Sequence, residues 1–64
     1  MIEVRVYPPA RVDELERWCN ERKVSFELRP VPKPGALVER LWFKNSLHAL
    51  SFCQEWPAQI VGSD

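Results

Sequence analysis

Residues 41–56, LWFKNSLHALSFCQEW, change their apolar period partway along, and that change decides the fold. Leu41 and Phe43 alternate with Trp42 as one face of a strand does, whereas Ala49, Phe52, Cys53 and Trp56 fall at i, i+3, i+4 and i+7, one stripe of a helix. Between the two lies the polar turn Lys44-Asn45-Ser46, with Asn45 or Ser46 placed to cap the helix and Pro57 to stop it. A strand that feeds straight into a helix, each with one apolar face, needs the rest of the chain as cover.

Upstream, the strand reads from Leu37 to Phe43. Its register sets Leu37, Leu41 and Phe43 inward and Val38, Arg40 and Trp42 outward, which leaves Glu39 on the inner side; a slip of one residue reverses every side chain. Before it, RPVPKPG (Arg29 to Gly35) carries prolines at every second position, which excludes a helix or a central strand. Residues 30–36 are therefore expected to form a stiff proline-rich loop closed by a Pro-Gly turn. The loop lacks a basic residue at the spacing that ligands of proline-binding domains use.

Val24 to Arg29 alternates again, with Val24, Phe26 and Leu28 against Ser25, Glu27 and Arg29, and reads as a strand. Ala10 to Arg22 places Val12, Leu15, Trp18 and Cys19 on one face of a helix with acidic residues early, and Asp13, Arg17 and Glu21 follow one another at i,i+4 spacing. Ile2 to Tyr7 alternates Ile2, Val4 and Val6 against Glu3, Arg5 and Tyr7, a strand that Pro8 and Pro9 should end, leaving Pro9 free to open the helix. Downstream, Gln59 to Val61 suffices for one short edge strand, and Gly62 to Asp64 reads as a frayed tail.

Strand, helix, strand, strand, helix, strand is the order of a ferredoxin-like βαββαβ sandwich, an α+β fold in one domain spanning residues 1–64. Right-handed crossovers put both helices on one face of a four-stranded antiparallel sheet and leave the other face open. The third strand then lies beside the first in the centre, with the second and fourth at the edges.

The chain has 64 residues, nine basic and nine acidic, so the electrostatic drive toward nucleic acid or a membrane surface is absent unless a local patch supplies it. No apolar run approaches the roughly 18 residues of a spanning helix. Met1 leads directly into a strand without the pattern of a signal peptide, so a cytoplasmic or host-cytoplasmic setting is expected. Cys19 and Cys53 are too far apart for a CxxC, one histidine cannot complete a zinc site with them, and both sit on apolar helix stripes. They are expected to be structural.

The run Leu41 to Phe52 resembles the third strand and second helix of RNA-recognition-motif domains, in which an aromatic ends the strand and an alanine and a large apolar residue line the helix. That resemblance implies outward aromatics able to stack on bases, with Tyr7 and Trp42 in comparable places. Ala36 to Phe43 does not carry that family's glycine- and aromatic-rich third-strand signature, and no family is assigned.

Gly35 and Gly62 are the only glycines, which excludes a glycine-rich phosphate loop, and neither GxSxG nor HExxH occurs. His48 with Cys19 or Cys53 is the minimum for thiol catalysis, but His48 lies beside the apolar stripe near a helix start, where the dipole disfavours an imidazolium. The expectation is a protein that is not an enzyme and takes no cofactor or metal. Arg5, Tyr7, Arg29, Arg40 and Trp42 gather on the open sheet face, and Tyr, Trp and Arg are the types enriched at interface hot spots. These residues point to a protein-interaction module, an adaptor or inhibitor that binds a larger protein, as many small phage-encoded proteins do, or a second copy of itself. The alternative is a single-stranded RNA or DNA binder that stacks bases on Tyr7 and Trp42 and sets Arg5, Arg29 and Arg40 against phosphates.

Overall fold

The computed structural model describes residues 1–29 and 31–63. In chain order it contains β1 (Ile2–Arg11), α1 (Val12–Glu21), β2 (Phe26–Glu27), β3 (Leu37–Phe43), α2 (Ser46–Glu55) and β4 (Ala58–Ser63). The protein is a small α+β fold, one four-stranded sheet in the order β2-β3-β1-β4 with two helices, and every strand pair is antiparallel. The alternation in the central strands buries Val4 and Val6 of β1 and Leu41 and Phe43 of β3. Leu15, Trp18 and Cys19 from α1 and Ala49 and Phe52 from α2 join them in one core cluster.

Phe52 is the hub of that core. Its ring meets Trp18 edge-on at 5.3 Å and an interplanar angle of 89°, lies 5.4 Å from Phe43, and stacks on Trp56 at 5.2 Å and 8°. Edge-on and stacked pairs at these separations add about 0.5–1.5 kcal/mol each beyond the area they bury. The helix that carries Phe52 is started by Asn45, whose Oδ1 accepts from the Leu47 amide at 2.8 Å, and so gives one orphan donor of the first turn a partner.

The structure corrects the sequence reading at several points. Pro8 and Pro9 do not end β1, and Pro9 does not open α1. Arg5 faces Arg40 while Ala10 faces Val38, so Val6 to Pro9 bulge out opposite Glu39 alone. Prolines, which have no N–H, are tolerated in such a bulge because no ladder bond to β3 is asked of them there. The Tyr7–Pro8 peptide is cis. The Tyr7 amide donates to the Pro57 carbonyl at 2.7 Å instead. The helix starts at Val12, with no side-chain cap; the Val12 amide donates to the Ala36 carbonyl at 3.0 Å, so the end of the proline-rich loop serves as the cap. Asp13, freed from the expected pairing with Arg17, lies 3.4 Å from Arg11.

The same bulge shifts the phase of β3. Val38 follows Ala10 into the core, whereas Leu37 is 66% exposed, the reverse of the expected register at that end. Glu39, which that register set inward, is exposed. Only the Leu41 to Phe43 end keeps the expected phase.

Val24, Phe26 and Leu28 still alternate inward, but β2 is paired only at Phe26↔Phe43 and Glu27↔Trp42. Its start is claimed by the end of α1: the Val24 amide donates to the Cys19 carbonyl at 2.8 Å and the Lys23 amide to Asn20 at 3.3 Å, with Lys23 in the left-handed region at φ 55°. This is a Schellman closure with lysine where glycine is usual. At its other end the chain enters the proline-rich loop, of which Pro30 lies outside the described residues. The expected Pro-Gly turn is present: Gly35 has φ 80° and the Ala36 amide donates to the Lys33 carbonyl at 3.0 Å, as a type II turn requires.

Finally, β4 is longer than Gln59 to Val61. Gly62 and Ser63 are not a frayed tail, because they pair with Glu3 and Ile2 across a bulge at Val61. Asp64 lies outside the described residues.

Candidate interaction surface

Arg5 on β1, Arg40 and Trp42 on β3 and Arg29 just beyond β2 lie on the sheet face away from the core, because each alternates with a residue that faces the helices. Arg5 and Arg40 are direct cross-strand partners, and Trp42 sits opposite Glu3 on one side and Glu27 on the other. Two like charges face to face would repel, so each arginine is turned to a carboxylate. Arg5 Nη2 lies 3.1 Å from Glu39 Oε1, Arg40 Nε 3.8 Å from Glu3 Oε2, and Arg29 Nε 3.0 Å from Glu27 Oε1. At this exposure such pairs contribute under about 1 kcal/mol apiece. Their consequence is a face with no net charge.

Both aromatics carry an arginine. The Arg5 guanidinium is 5.4 Å from the centre of the exposed Tyr7 ring, and that of Arg29 is 5.1 Å from the centre of Trp42. Trp42 points outward as the register requires, but it is half-buried rather than largely exposed, with Arg29 over it and Arg29 Nη2 held in turn 3.2 Å from Met1 Sδ. Tyr7 lies four residues beyond the residue opposite Trp42, about 13 Å along the strand.

A cleft of about 400 Å³ opens at the border of this face, with Leu28, Pro32, Leu37 and Val38 as its apolar lining and Arg29, Glu39 and Arg40 as its charged one. It exists because β2 stops after Glu27, which leaves the edge of β3 from Leu37 to Leu41 without a neighbouring strand among the described residues. Leu28, Pro32 and Leu37 are the residues that the sequence did not single out. The one signal was the competition of Leu37 with Val38 for the core, and the bulge opposite Glu39 settled it against Leu37.

The thiols are free. Cys19 is fully buried, and burial pushes its thiol up to about 11 despite the opposing pull of the nearby Arg22 charge. Burial also raises the thiol of the half-buried Cys53. A thiol so raised holds almost no thiolate at neutral pH. Among the described residues no group of three or more His, Cys, Asp or Glu is placed to hold a metal ion, and no helix is long and apolar enough to cross a membrane.

No family model matches the chain, and neither a curated protein nor a solved structure matches it.

Proposed function

We propose that the chain is a small non-enzymatic protein-interaction module, an adaptor or inhibitor that docks on a larger protein in the cytoplasm, including that of a phage host, through its open sheet face and the adjoining cleft. The observation that carries this reading is the matching of Arg5, Arg29 and Arg40 with Glu39, Glu27 and Glu3 around Trp42. A neutral, hydrogen-bonding surface with a large aromatic at its centre and an apolar cleft at its border has the make-up of a protein interface. A strand of nucleic acid asks for the opposite, arginines free for phosphates and aromatic faces free for bases.

For the architecture, we propose the ferredoxin-like βαββαβ class. What supports it is the order β2-β3-β1-β4, with β1 and β3 central and both helices contributing to one core cluster.

The test is capture from a native lysate with wild type, Trp42→Ala and Arg40→Ala as baits, beside a titration with a single-stranded oligonucleotide at several salt concentrations. A protein retained by wild type and lost from both folded variants supports the reading. Tight oligonucleotide binding that weakens with a log-log salt slope of roughly −2, from about 0.7 per phosphate contact at three arginines, overturns it in favour of strand binding.

A further inference from the structure

The two edges of the sheet are unlike. On the β2 side the outer strand is two residues long, with Glu27 in it, Arg29 just beyond and a run of prolines after that, and the uncovered β3 edge from Leu37 to Leu41 carries Glu39 and Arg40, the devices that keep an edge from pairing with another chain. The β4 edge shares only one device of this kind, the bulge at Val61. Its six residues, AQIVGS, include no charge and no proline, and among the described residues no strand pairs with their outer side. Ile60 and Val61 are 38% and 46% exposed there.

The helix beside this edge continues the pattern. α2 packs against β4, and Glu55 turns toward α1, where Arg22 Nη2 meets it at 3.0 Å. At about 100° per residue, Leu50 and Cys53 fall on the flank away from α1, with Leu47 next to Leu50 at i,i+3 spacing. Leu47 and Leu50 are 68% and 50% exposed. From Asn45 to Ser63 the only formal charge is that of Glu55, already paired with Arg22.

We propose that this edge joins two copies of the chain, β4 against β4 in antiparallel register, into one continuous eight-stranded sheet with the Leu50 flanks of the two α2 helices beside the seam. A two-fold contact lays each residue near the axis against its own copy or its near neighbour, so any formal charge there would repel itself. The exclusion of charge from both strand and helix flank is what such a contact requires, and it offers nothing to a charged partner. The midpoint of β4 falls between Ile60 and Val61, which places these two apolar side chains at the axis. Because antiparallel neighbours in a sheet are related by an axis normal to it, both open faces come to lie on the same side. The proposal concerns a surface apart from the one in the functional reading, and it makes that surface bivalent.

Sedimentation velocity tests it, on wild type, Val61→Lys, Val61→Glu and Leu50→Lys from about 1 µM to about 1 mM. Wild type is expected to pass from the 7.5 kDa monomer to a dimer as concentration rises. Each charged variant should shift the midpoint upward by at least about tenfold, and an equimolar mixture of Val61→Lys and Val61→Glu should recover association. Circular dichroism establishes that each variant is folded, and Leu50→Lys stands in where a strand variant is not. A wild type that stays monomeric throughout overturns the proposal. So does a dimer that the folded charged variants leave intact, or a variant mixture with no recovery. Trp42→Ala should leave the dimer unchanged while it removes the larger partner, so the two surfaces fail separately.

Discussion

The Arg29 guanidinium lies over Trp42 at 5.1 Å from the ring centre and is itself held by Glu27 at 3.0 Å, so the ring is sheltered by a side chain from the neighbouring edge of the sheet. The shelter is removable. In a protein whose only tryptophan is Trp42, made by Trp18→Phe and Trp56→Phe, a neutral quencher should reach the ring partially. Adding Arg29→Ala should raise the quenching constant clearly, with a stability change under about 1 kcal/mol, as an exposed cation–π and ion pair contributes little. Trp18→Phe suits the purpose because the buried Trp18 Nε1 has no hydrogen-bond partner among the described residues to lose. Unchanged quenching on loss of Arg29 would mean that Arg29 does not cover the ring in solution.

Phe52 touches Trp18, Phe43 and Trp56 at once, and its ring is wholly buried. Phe52→Ala should cost about 3–5 kcal/mol. Set against roughly 3–10 kcal/mol for a domain of this size, that removes from about a third to all of the stability. Phe52→Leu should remain folded with a lower urea midpoint. A Phe52→Ala protein with a wild-type midpoint would show that the aromatic cluster is not the core.

Lys23 closes α1 in the left-handed region, where a β-carbon is disfavoured by roughly 1–2 kcal/mol. Glycine removes that penalty but loses more chain entropy on folding, so Lys23→Gly should raise stability by a net of about 0.5–1 kcal/mol. Thermal melts of the two proteins decide the matter; a loss of stability would contradict the Schellman closure.

Cys19 has its thiol raised from 9.0 to about 11 by burial. The folded state therefore prefers the neutral thiol: its contribution is intact below pH 9 and is lost as pH rises toward 11, where the unfolded chain releases the proton and the folded chain resists. The loss amounts to on the order of 2–3 kcal/mol. Urea melts between pH 8 and about 11 should show a steeper decline for wild type than for Cys19→Ala, which has already lost about 1–3 kcal/mol to the cavity. Parallel declines would show that the thiol titrates at its ordinary value.

Wherever one residue's neighbours in sequence are also what determines its environment, the chain could be read directly. The stripes of α1 and α2, a cap at Asn45 or Ser46, the alternation of Val4 and Val6, and the inward Leu41 and Phe43 are all of this kind, and the structure selects Asn45 for the cap. The misreadings trace to long-range pairing. Nothing near Pro8 tells that β3 will skip four residues opposite it, and with that skip go the exposure of Leu37, the burial of Val38 and the apolar lining of the cleft. The open-face residues were placed by alternation alone; Glu27 neutralises Arg29 two residues along the same chain, whereas the pairing of Arg5 with Glu39 and of Arg40 with Glu3 depends on which strands lie side by side. Gly62 and Ser63 looked like a tail because their pairing partners are Glu3 and Ile2 at the other end of the chain.

The pairing of Ile2 with Ser63 also bears on how fast the protein folds. The strand at the centre of the sheet is the first in the chain, and its two neighbours come from the middle and the far end, so neither ladder can form by local zippering. Nearly the whole chain must be looped before the last backbone bonds of β4 are made, and loop entropy is spent before those contacts return anything. A protein of only 64 residues built this way is expected to fold more slowly than a helical bundle of its size, in spite of its two helices. It also has no half that can stand alone, since a cut anywhere between β1 and β4 separates Val4 and Val6 from residues that cover them.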